Sequence, residues 1–400
     1  MNIEELTKTI NYLLDNNLKL IEKGHNKISV CIEGNAGIGK TSVVQQIAEE
    51  RNAKYVKLCL AELEEIGDLC GIPIKEYQMF TPDKSDEVTV AEKMIPQYVS
   101  MGYSLCPDCP PKMSYAVPSW VPEDEDKEII LCLDDFTRAS SLFMQAIMSL
   151  VQFGEYVSWK LPKKAHLILT SNPEGAEYSI STSLDSAQAS RMLKFNVDFD
   201  VKPYAKWMDR MEMPGVMINF ALMTPEIFER SHVINARSYT MFANAISGIS
   251  NYSDPKSLAL ISTIAKGCFG NDDVVSGLFV QFVHNKLDRL ITPEDILKGE
   301  WEKVKDNLKE CIQKDGGYRA DIASTLTIRF INYLEIYFNK DEDVKKSEKA
   351  IDRIVELVTC QEKLLSEDLI FKLIKTLVAK HPNRFKKLVA NPQIRLKIIS

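Results

Sequence analysis

A glycine-rich loop between an apolar strand and a helix constrains the fold of this chain more than any other stretch. The apolar run 28–32 predicts a short buried strand. Three glycines follow within the next seven residues, and Lys40-Thr41 begins a predicted helix. Residues 34–41 therefore match the pattern G-x-x-x-x-G-K-T in the context that it requires, with a strand before it and a helix after it.

This pattern predicts a site for the phosphates of ATP together with Mg²⁺. Glycines allow backbone N–H groups to converge on phosphate oxygens, and the helix N-terminus adds partial positive charge. We expect Lys40 to reach the β- and γ-phosphates and Thr41 to give its hydroxyl to Mg²⁺. The alternative is a chance glycine-rich turn, which arises in roughly a percent or two of chains of this length. The predicted nucleotide-binding residues are Gly34, Asn35, Ala36, Gly37, Ile38, Gly39, Lys40, Thr41 and Ser42.

The composition is that of an ordinary globular protein, with 45% apolar and 26% charged residues. Its 400 residues predict two or three domains. No apolar run is long enough to span a membrane, and the acidic N-terminus is unlike a secretory signal. Nine irregularly spaced cysteines indicate reduced core thiols and a cytoplasmic location. The net charge of −7 argues mildly against binding to nucleic acid in general.

Two acids follow the apolar stretch 129–133, which predicts a third buried strand. Negative charge is costly at such a position unless a cation is held there. Beside a phosphate-binding loop, Asp134 is predicted to hold Mg²⁺ through water, next to Thr41. Asp135 is then predicted to orient or deprotonate the attacking water. The alternative is that the two acids cap the following turn.

Asn172 follows the predicted strand 165–171 in the same way. A polar amide at the carboxyl end of a buried parallel strand points into the ligand crevice of an open α/β sheet. We therefore expect Asn172 to contact the γ-phosphate or to position the water. A turn-forming asparagine before proline is the equally weighted alternative.

Residues 73–122 contain eight of the seventeen prolines and predict a long irregular insertion. Within it lies Cys106-Pro107-Asp108-Cys109. A closed zinc site needs four ligands, and no second cysteine pair or nearby histidine completes one. Metal or redox chemistry is therefore the weaker hypothesis here, and a loop that carries two thiols is the stronger one.

Strands that alternate with helical segments predict an α/β fold, a P-loop NTPase core with a parallel five-stranded sheet over residues 1–200. Helical patterns follow, and they predict an α-helical lid domain over 201–297 and a helical C-terminal extension over 298–400, broken at Gly316-Gly317. Residues 371–400 contain eight Lys or Arg and no acid. This basic stretch predicts either a solvated helix face or, less strongly, contact with an anionic partner. The predicted strands lie at 28–32, 55–60, 129–133, 165–171 and 194–199, with a hairpin at 153–162.

Several motifs in the right order resemble those of the AAA+ ATPases, specifically the MoxR-like branch related to the dynein AAA modules. The resemblance extends from about residue 30 to residue 297. The matching elements are a Walker A loop at 34–41, D-L-C-G at 68–71, S-W-V-P at 119–122, a Walker B segment at 131–139, a hairpin at 153–162, sensor 1 at Asn172, an arginine finger at Arg191 and sensor 2 at Arg237.

The resemblance implies a ring homo-oligomer, six-fold by family, that hydrolyses ATP to remodel or assemble a client protein. It implies that Arg191 enters the active site of the neighbouring subunit and that Arg237 reports the nucleotide state to the lid. The client implied is a von Willebrand A-type protein. Two departures stand out: Asp135 replaces the usual glutamate, and Asn235 replaces the frequent proline before sensor 2. The resemblance does not extend to the last hundred residues.

Two other functions remain open on the sequence. A nucleic-acid-directed motor of the McrB-like type would use the basic stretch 371–400, although the net charge of −7 and the absence of a recognisable DNA-reading module argue against it. A nucleotide-gated scaffold with little turnover is the other, because Asp135 is one methylene shorter than the usual base.

Overall fold

The chain divides into two compact units, Met1–Phe199 and Asp200–Ser400. No helix in the described part of the chain is both long enough and apolar enough to cross a membrane. The computed structural model describes residues 1–123, 126–173, 184–270, 273–314, 317–339, 344–360 and 364–382, together with Glu362, Arg384, Phe385, Pro392 and Ile394.

The first unit alternates strands and helices over most of its length. Its helices are α1 (Ile3–Glu22), α2 (Lys40–Glu50), α3 (Ile66–Cys70), α4 (Ile95–Ser100), α5 (Ser141–Phe153) and α6 (Ser186–Ala189). Its strands are β1 (Ser29–Glu33), β2 (Lys54–Cys59), β3 (Pro73–Phe80), β4 (Glu87–Ala91), β5 (Ser104–Leu105), β6 (Lys112–Tyr115), β7 (Ile129–Asp134), β8 (Glu155–Tyr156), β9 (Trp159–Lys160), β10 (Ala165–Ser171) and β11 (Met192–Asn196).

The centre of this unit is a five-stranded sheet in the order β11-β1-β10-β7-β2, and each pair of neighbours is parallel. The predicted parallel five-stranded sheet is therefore confirmed, and the architecture is consistent with a P-loop NTPase-like fold. The last strand begins two residues earlier than the predicted 194–199, because its register against β1 pairs Met192 with Ser29. All five carboxyl ends lie at one edge of the sheet, where the glycine-rich loop follows β1.

Side chains alternate between the two faces of this sheet, as the period of a strand requires. Val30 and Ile32 pack with buried residues of α1 and α2 on one face. Cys31 belongs to the core on the other face, which includes the buried side of α5. Burying each large aliphatic side chain stabilises the fold by about 1.5–3 kcal/mol. Helices on both faces therefore hold the sheet between two apolar layers.

The segment 73–122, predicted to be irregular, instead contains a small antiparallel sheet. Strand β3 pairs with β4 along one side and with β5 and β6 along the other. The high proline content is compatible with this sheet because Pro73 begins β3 and Pro96 lies in the first turn of α4, where a missing N–H is tolerated. The prediction of irregular structure was therefore wrong for this part of the chain.

A close backbone approach at Gly71 and the contacts of two tryptophans connect this small sheet to the core of the first unit. Gly71 has φ +89°, and a Cβ placed on it would lie 1.7 Å from the carbonyl oxygen of Ala116. Trp159, in the hairpin β8–β9, donates from Nε1 to the carbonyl of Cys70 at 2.9 Å. The ring of Trp120 meets that of Trp159 edge to face, with centroids 5.6 Å apart. The predicted hairpin at 153–162 is confirmed by the pairing of β8 with β9.

The second unit is mainly helical. Its helices are α7 (Val201–Arg210), α8 (Gly215–Met223), α9 (Ala236–Ala245), α10 (Pro255–Phe269), α11 (Asp273–His284), α12 (Pro293–Lys298), α13 (Trp301–Ile312), α14 (Ala320–Asn339), α15 (Val344–Thr359) and α16 (Glu367–Lys380). Two short antiparallel strands, β12 (Gln313–Lys314) and β13 (Gly317–Tyr318), interrupt the helices.

A buried polar contact joins α14 to α7 and α8. Arg329 donates from Nη1 to Asn219 Oδ1 at 3.0 Å and lies 3.2 Å from Asp209 Oδ1. Burial raises the pKa of Asp209, although the charge and hydrogen bonds of Arg329 and Asn332 act in the opposite direction. The segments 201–297 and 298–400, which the sequence separates into lid and extension, thus lie in one compact unit.

The predicted break at Gly316-Gly317 lies partly outside the described residues, since Gly316 is not among them. The basic stretch 371–400 begins within α16, but most of it after Lys380 also lies outside the described residues. Its predicted role in binding an anionic partner therefore stays a prediction.

Candidate functional site

The loop between β1 and α2 owes its shape to its glycines. A Cβ on Gly34 would lie 2.6 Å from both the carbonyl oxygen of Val197 and the Cδ1 of Ile38. Gly37 and Gly39 have φ values of 76° and 98°, in the left-handed region that side chains with a Cβ rarely adopt. Glycine is thus required here by a close backbone approach at the first position and by backbone conformation at the other two.

Lys40 is the first residue of α2, and its side chain turns back into the loop. The residue is only 6% exposed. Its Nζ donates to the carbonyl oxygens of Gly34 at 2.7 Å and Asn35 at 2.9 Å, and to Asn172 Oδ1 at 3.0 Å. The ammonium therefore connects the loop after β1 with the residue that follows β10.

Asp134, the last residue of β7, is held through both of its carboxylate oxygens. Oδ1 accepts hydrogen bonds from Thr41 Oγ1 at 2.5 Å and from Thr170 Oγ1 at 2.7 Å. Oδ2 lies 2.9 Å from Lys57 Nζ. Burial acts to raise the pKa of Asp134, but the hydrogen bonds from Thr41, Thr170 and Lys57 outweigh it, and the pKa lies below its usual value. The fold thus favours the ionised carboxylate.

Asp135 follows in a left-handed backbone conformation, with φ 48°. Its N–H donates to Thr170 Oγ1 at 2.9 Å, which makes this threonine a bridge between the two acids. Its Oδ1 accepts from Asn172 Nδ2 at 3.4 Å, and Arg138 Nε lies 3.5 Å from Oδ2. Non-glycine residues in this conformation are uncommon and occur preferentially at functional sites.

Five of the predicted site residues thus lie together at the carboxyl edge of the sheet: Lys40, Thr41, Asp134, Asp135 and Asn172. The sequence reasoning missed Lys57, Thr170 and Arg138. Thr170 carried a signal, since it is a hydroxyl directly after the apolar run 167–169 and two residues before Asn172. No feature of the sequence marked Lys57 as a site residue, because only the pairing of β2 with β7 brings it beside Asp134.

Arg191 lies at the opposite edge of the sheet from Lys40. It precedes Met192, which pairs with Ser29 at the amino end of β1. At about 3.3 Å per residue, the length of β1 separates the two edges by about 13 Å. Arg191 is partly buried, and its guanidinium donates to Gln152 Oε1 at 2.9 Å and to the carbonyl of Ala187 at 3.1 Å.

Arg237 belongs to the second unit, where it is exposed in the first turn of α9. Asn235 caps this helix, and its side-chain oxygen accepts from the N–H groups of Arg237 at 3.0 Å and Ser238 at 3.2 Å. Asparagine is among the preferred residues at such a cap. This explains how Asn235 begins the helix at a position where the resembled family often has proline.

The donors at the carboxyl edge fit Mg²⁺ and a polyphosphate. Thr41 and Asp134 offer hydroxyl and carboxylate oxygens, the ligand type that Mg²⁺ prefers, and Lys40 offers an ammonium. The glycine loop and the N-terminus of α2 add backbone N–H groups suited to an anion. The arrangement can therefore bind phosphate oxygens and hold an acid–amide pair beside them.

No protein-family model matches the chain, and no curated protein matches it.

Cys106 and Cys109 lie apart from this edge of the sheet, between β5 and β6, and are joined in a disulfide. Cys31 and Cys132 are unbridged and buried, as predicted for core thiols. Among the described residues, no group of three or more His, Cys, Asp or Glu side chains is arranged to hold a metal ion. The Cys106–Cys109 pair is thus a bridged pair rather than two free thiols.

Proposed function

We propose that this chain is a Mg²⁺-dependent ATPase of the AAA+ type, of the MoxR-like branch, that acts on a client protein from within a ring of identical subunits. The observation that carries the proposal is the convergence of Lys40, Thr41 and Asp134 around a glycine loop at the N-terminus of α2. The hydrogen-bonded pair Asp135 and Asn172 beside them supports hydrolysis rather than binding alone.

The binding step follows from the charges and donors of the loop. The backbone N–H groups of residues 34–41 and the N-terminus of α2 would receive the phosphate oxygens. Lys40 would exchange its contacts with the carbonyls of Gly34 and Asn35 for phosphate oxygens, which are stronger acceptors because they are charged. Thr41 and Asp134 would hold Mg²⁺, which neutralises part of the phosphate charge when bound.

Asp135 is the candidate base for hydrolysis. Its carboxylate is in contact with the amide of Asn172, which also accepts from Lys40. Asn172 would therefore keep the carboxylate and the ammonium in fixed relation while Asp135 orients the water and accepts its proton. Because Asp135 is one methylene shorter than glutamate, the water must lie closer to the β7 backbone than it would with the longer acid, and slower turnover is expected.

One cation remains to be supplied for the transition state. Charge develops on the transferred phosphoryl group, and a further arginine stabilises it in many enzymes of this chemistry. Arg191 lies at the wrong edge of the sheet to reach its own Lys40. We therefore propose that it acts on a neighbouring subunit, in a head-to-tail contact that closes into a ring, and that Arg237 links the nucleotide state to the helical unit.

Calorimetric titration with ATP and Mg²⁺ tests the binding site. Lys40→Met should weaken binding by about tenfold to a hundredfold, because a charged hydrogen-bonding group is lost from the site. Lys8→Met, which removes an exposed lysine of α1, should bind as the wild type does. Equal affinity in all three proteins would remove the proposed nucleotide site.

Phosphate release by assembled protein tests the base. Asp135→Asn should keep its affinity for ATP and lose about a hundredfold or more in turnover, the usual contribution of a general base. Normal hydrolysis by Asp135→Asn would show that another group activates the water. Tight ATP binding by a wild-type protein that releases no phosphate would replace the ATPase with a nucleotide-gated scaffold.

A further inference from the structure

Lys57 occupies a position beside Asp134 that the proposed hydrolysis does not use. Its Nζ lies 2.9 Å from Asp134 Oδ2, while the other oxygen of the same carboxylate receives the hydroxyls of Thr41 and Thr170. Lys57 is the contact named at Oδ2, so a divalent cation held by that oxygen, directly or through water, competes with the Lys57 ammonium for it.

Lys57 is the contact best able to change. Its side chain is 48% exposed, whereas that of Asp134 is 15% exposed. A lysine ammonium ends a flexible four-carbon stem and is strongly hydrated, so it can leave a carboxylate for water at small cost. Thr41 and Thr170 are short side chains fixed to α2 and β10, and their hydroxyls have no comparable freedom.

The two cations also exclude each other electrostatically. An ammonium and Mg²⁺ on one carboxylate repel, and the repulsion is weakly screened at a half-buried site. Removing the ammonium without replacing it leaves Asp134 as an unbalanced negative charge beside the loop that is meant to receive phosphates. Lys57 therefore acts on both charges of the site, favouring the anion and opposing the divalent cation.

We propose that Lys57 is a positioning residue that pairs with Asp134 Oδ2 and competes with Mg²⁺ for that oxygen. The ion pair keeps Asp134 balanced and oriented before binding, and its displacement sets how strongly ATP binding depends on Mg²⁺. This inference rests on the proposed nucleotide site.

Titration calorimetry with ATP, in excess EDTA and in excess Mg²⁺, measures this dependence as the ratio of the two dissociation constants. Lys57→Met should bind ATP more weakly in EDTA and relatively better in Mg²⁺, which raises the ratio about tenfold over the wild type. Lys57→Arg keeps a cation and should restore a ratio near that of the wild type. Lys54→Met is the matched control, because it removes an exposed lysine at the other end of β2.

Thermal unfolding with Mg²⁺ alone gives a second readout that needs no nucleotide. Millimolar Mg²⁺ should raise the unfolding temperature of Lys57→Met more than that of the wild type or Lys54→Met. Lys57→Gln serves if the methionine variant folds poorly. An unchanged ratio together with an unchanged Mg²⁺ shift would overturn the role of Lys57. ATP binding by none of the proteins in either buffer would instead refute the nucleotide site, and the Mg²⁺ shift would still decide the role of Lys57.

Discussion

At the scale of single residues, the mostly buried ion pair between Arg51 and Glu128 contributes to the stability of the fold. Arg51 Nε lies 2.8 Å from Glu128 Oε1, and the two side chains are 16% and 17% exposed. His166 Nε2 lies 3.3 Å from the same oxygen. Burial acts to raise the pKa of Glu128, but the contacts with His166 and Arg51 outweigh it, so the pKa is lowered. The ionised form of Glu128 therefore stabilises the fold.

Replacing Glu128 by glutamine should destabilise the first unit at neutral pH by about 1–3 kcal/mol. A carboxylate whose pKa is lowered by folding contributes its stability above the unfolded value, near 4.3, and loses it as the pH falls through the folded value. The difference between Glu128→Gln and the wild type should therefore be full at pH 7 and shrink below about pH 4. Urea unfolding at a series of pH values measures it.

Asp15→Asn is the control for this prediction. Asp15 contacts the same guanidinium at 2.8 Å, but its side chain is 60% exposed, so the change should cost less than about 1 kcal/mol. A cost for Glu128→Gln that is equally large at pH 3.5 and pH 7 would contradict the assigned cause.

Residues within one local pattern were predictable from the sequence, and residues brought together by strand order were not. Lys40 and Thr41 follow their glycines directly, and Asp134 ends an apolar run, so each lies where the pattern places it. Lys57 is 77 residues from Asp134 along the chain. Only the alignment of β2 beside β7 brings the two within 2.9 Å of each other, and no spacing in the sequence encodes that pairing.

At the scale of elements, Gly71 connects the end of α3 to the small antiparallel sheet. Gly71→Ala should be strongly destabilising, because the added Cβ would meet the carbonyl of Ala116 at 1.7 Å and the backbone has φ +89°. Gly102→Ala separates these causes, since Gly102 has φ +93° and nothing within 4 Å of the added atom. We expect about 1–2 kcal/mol for the control and more for Gly71→Ala.

Tryptophan fluorescence during urea unfolding measures both variants, because Trp120 and Trp159 lie beside this contact. Equal destabilisation by the two changes would mean that backbone conformation alone matters and that the approach to Ala116 relaxes freely.

The small antiparallel sheet formed by β3, β4, β5 and β6 was not predicted from the sequence because its strands lack a clear pattern. Its strands are short, and β3 pairs with β6 some 40 residues further along the chain. Alternation along β3 is weak because most of its residues are partly exposed, and Met79 is its buried one. The central strands β7 and β10, by contrast, are buried on both faces, and β7 is a continuous apolar run up to Asp134.

At the scale of the whole molecule, the positions of Arg191 and Lys40 at opposite edges of one sheet make a prediction about assembly. Arg191→Ala should still bind ATP and should hydrolyse none, and Lys40→Ala should be inactive at ATP concentrations too low to fill its weakened nucleotide site. Mixed in equal amounts, the two should recover part of the wild-type rate of phosphate release, since Lys40→Ala subunits supply an intact Arg191 to their neighbours.

Arg230→Ala, which changes an exposed arginine of the second unit, should be active on its own and serves as the control for that measurement. Mixtures that stay inactive at saturating protein would refute the proposal that Arg191 acts on a neighbouring subunit. Full activity of Arg191→Ala alone would refute any catalytic role for Arg191.

The contacts of Lys40 have a consequence for selectivity. Lys40 is only 6% exposed, and its ammonium donates to three uncharged oxygens, those of Gly34, Asn35 and Asn172. A visiting anion has to outcompete these oxygens rather than bulk solvent. A monovalent ion such as chloride gains little by the exchange, whereas a polyphosphate brings several charges at once. With the proposed function, the loop would discriminate by density of negative charge and so favour a polyphosphate over simple salts.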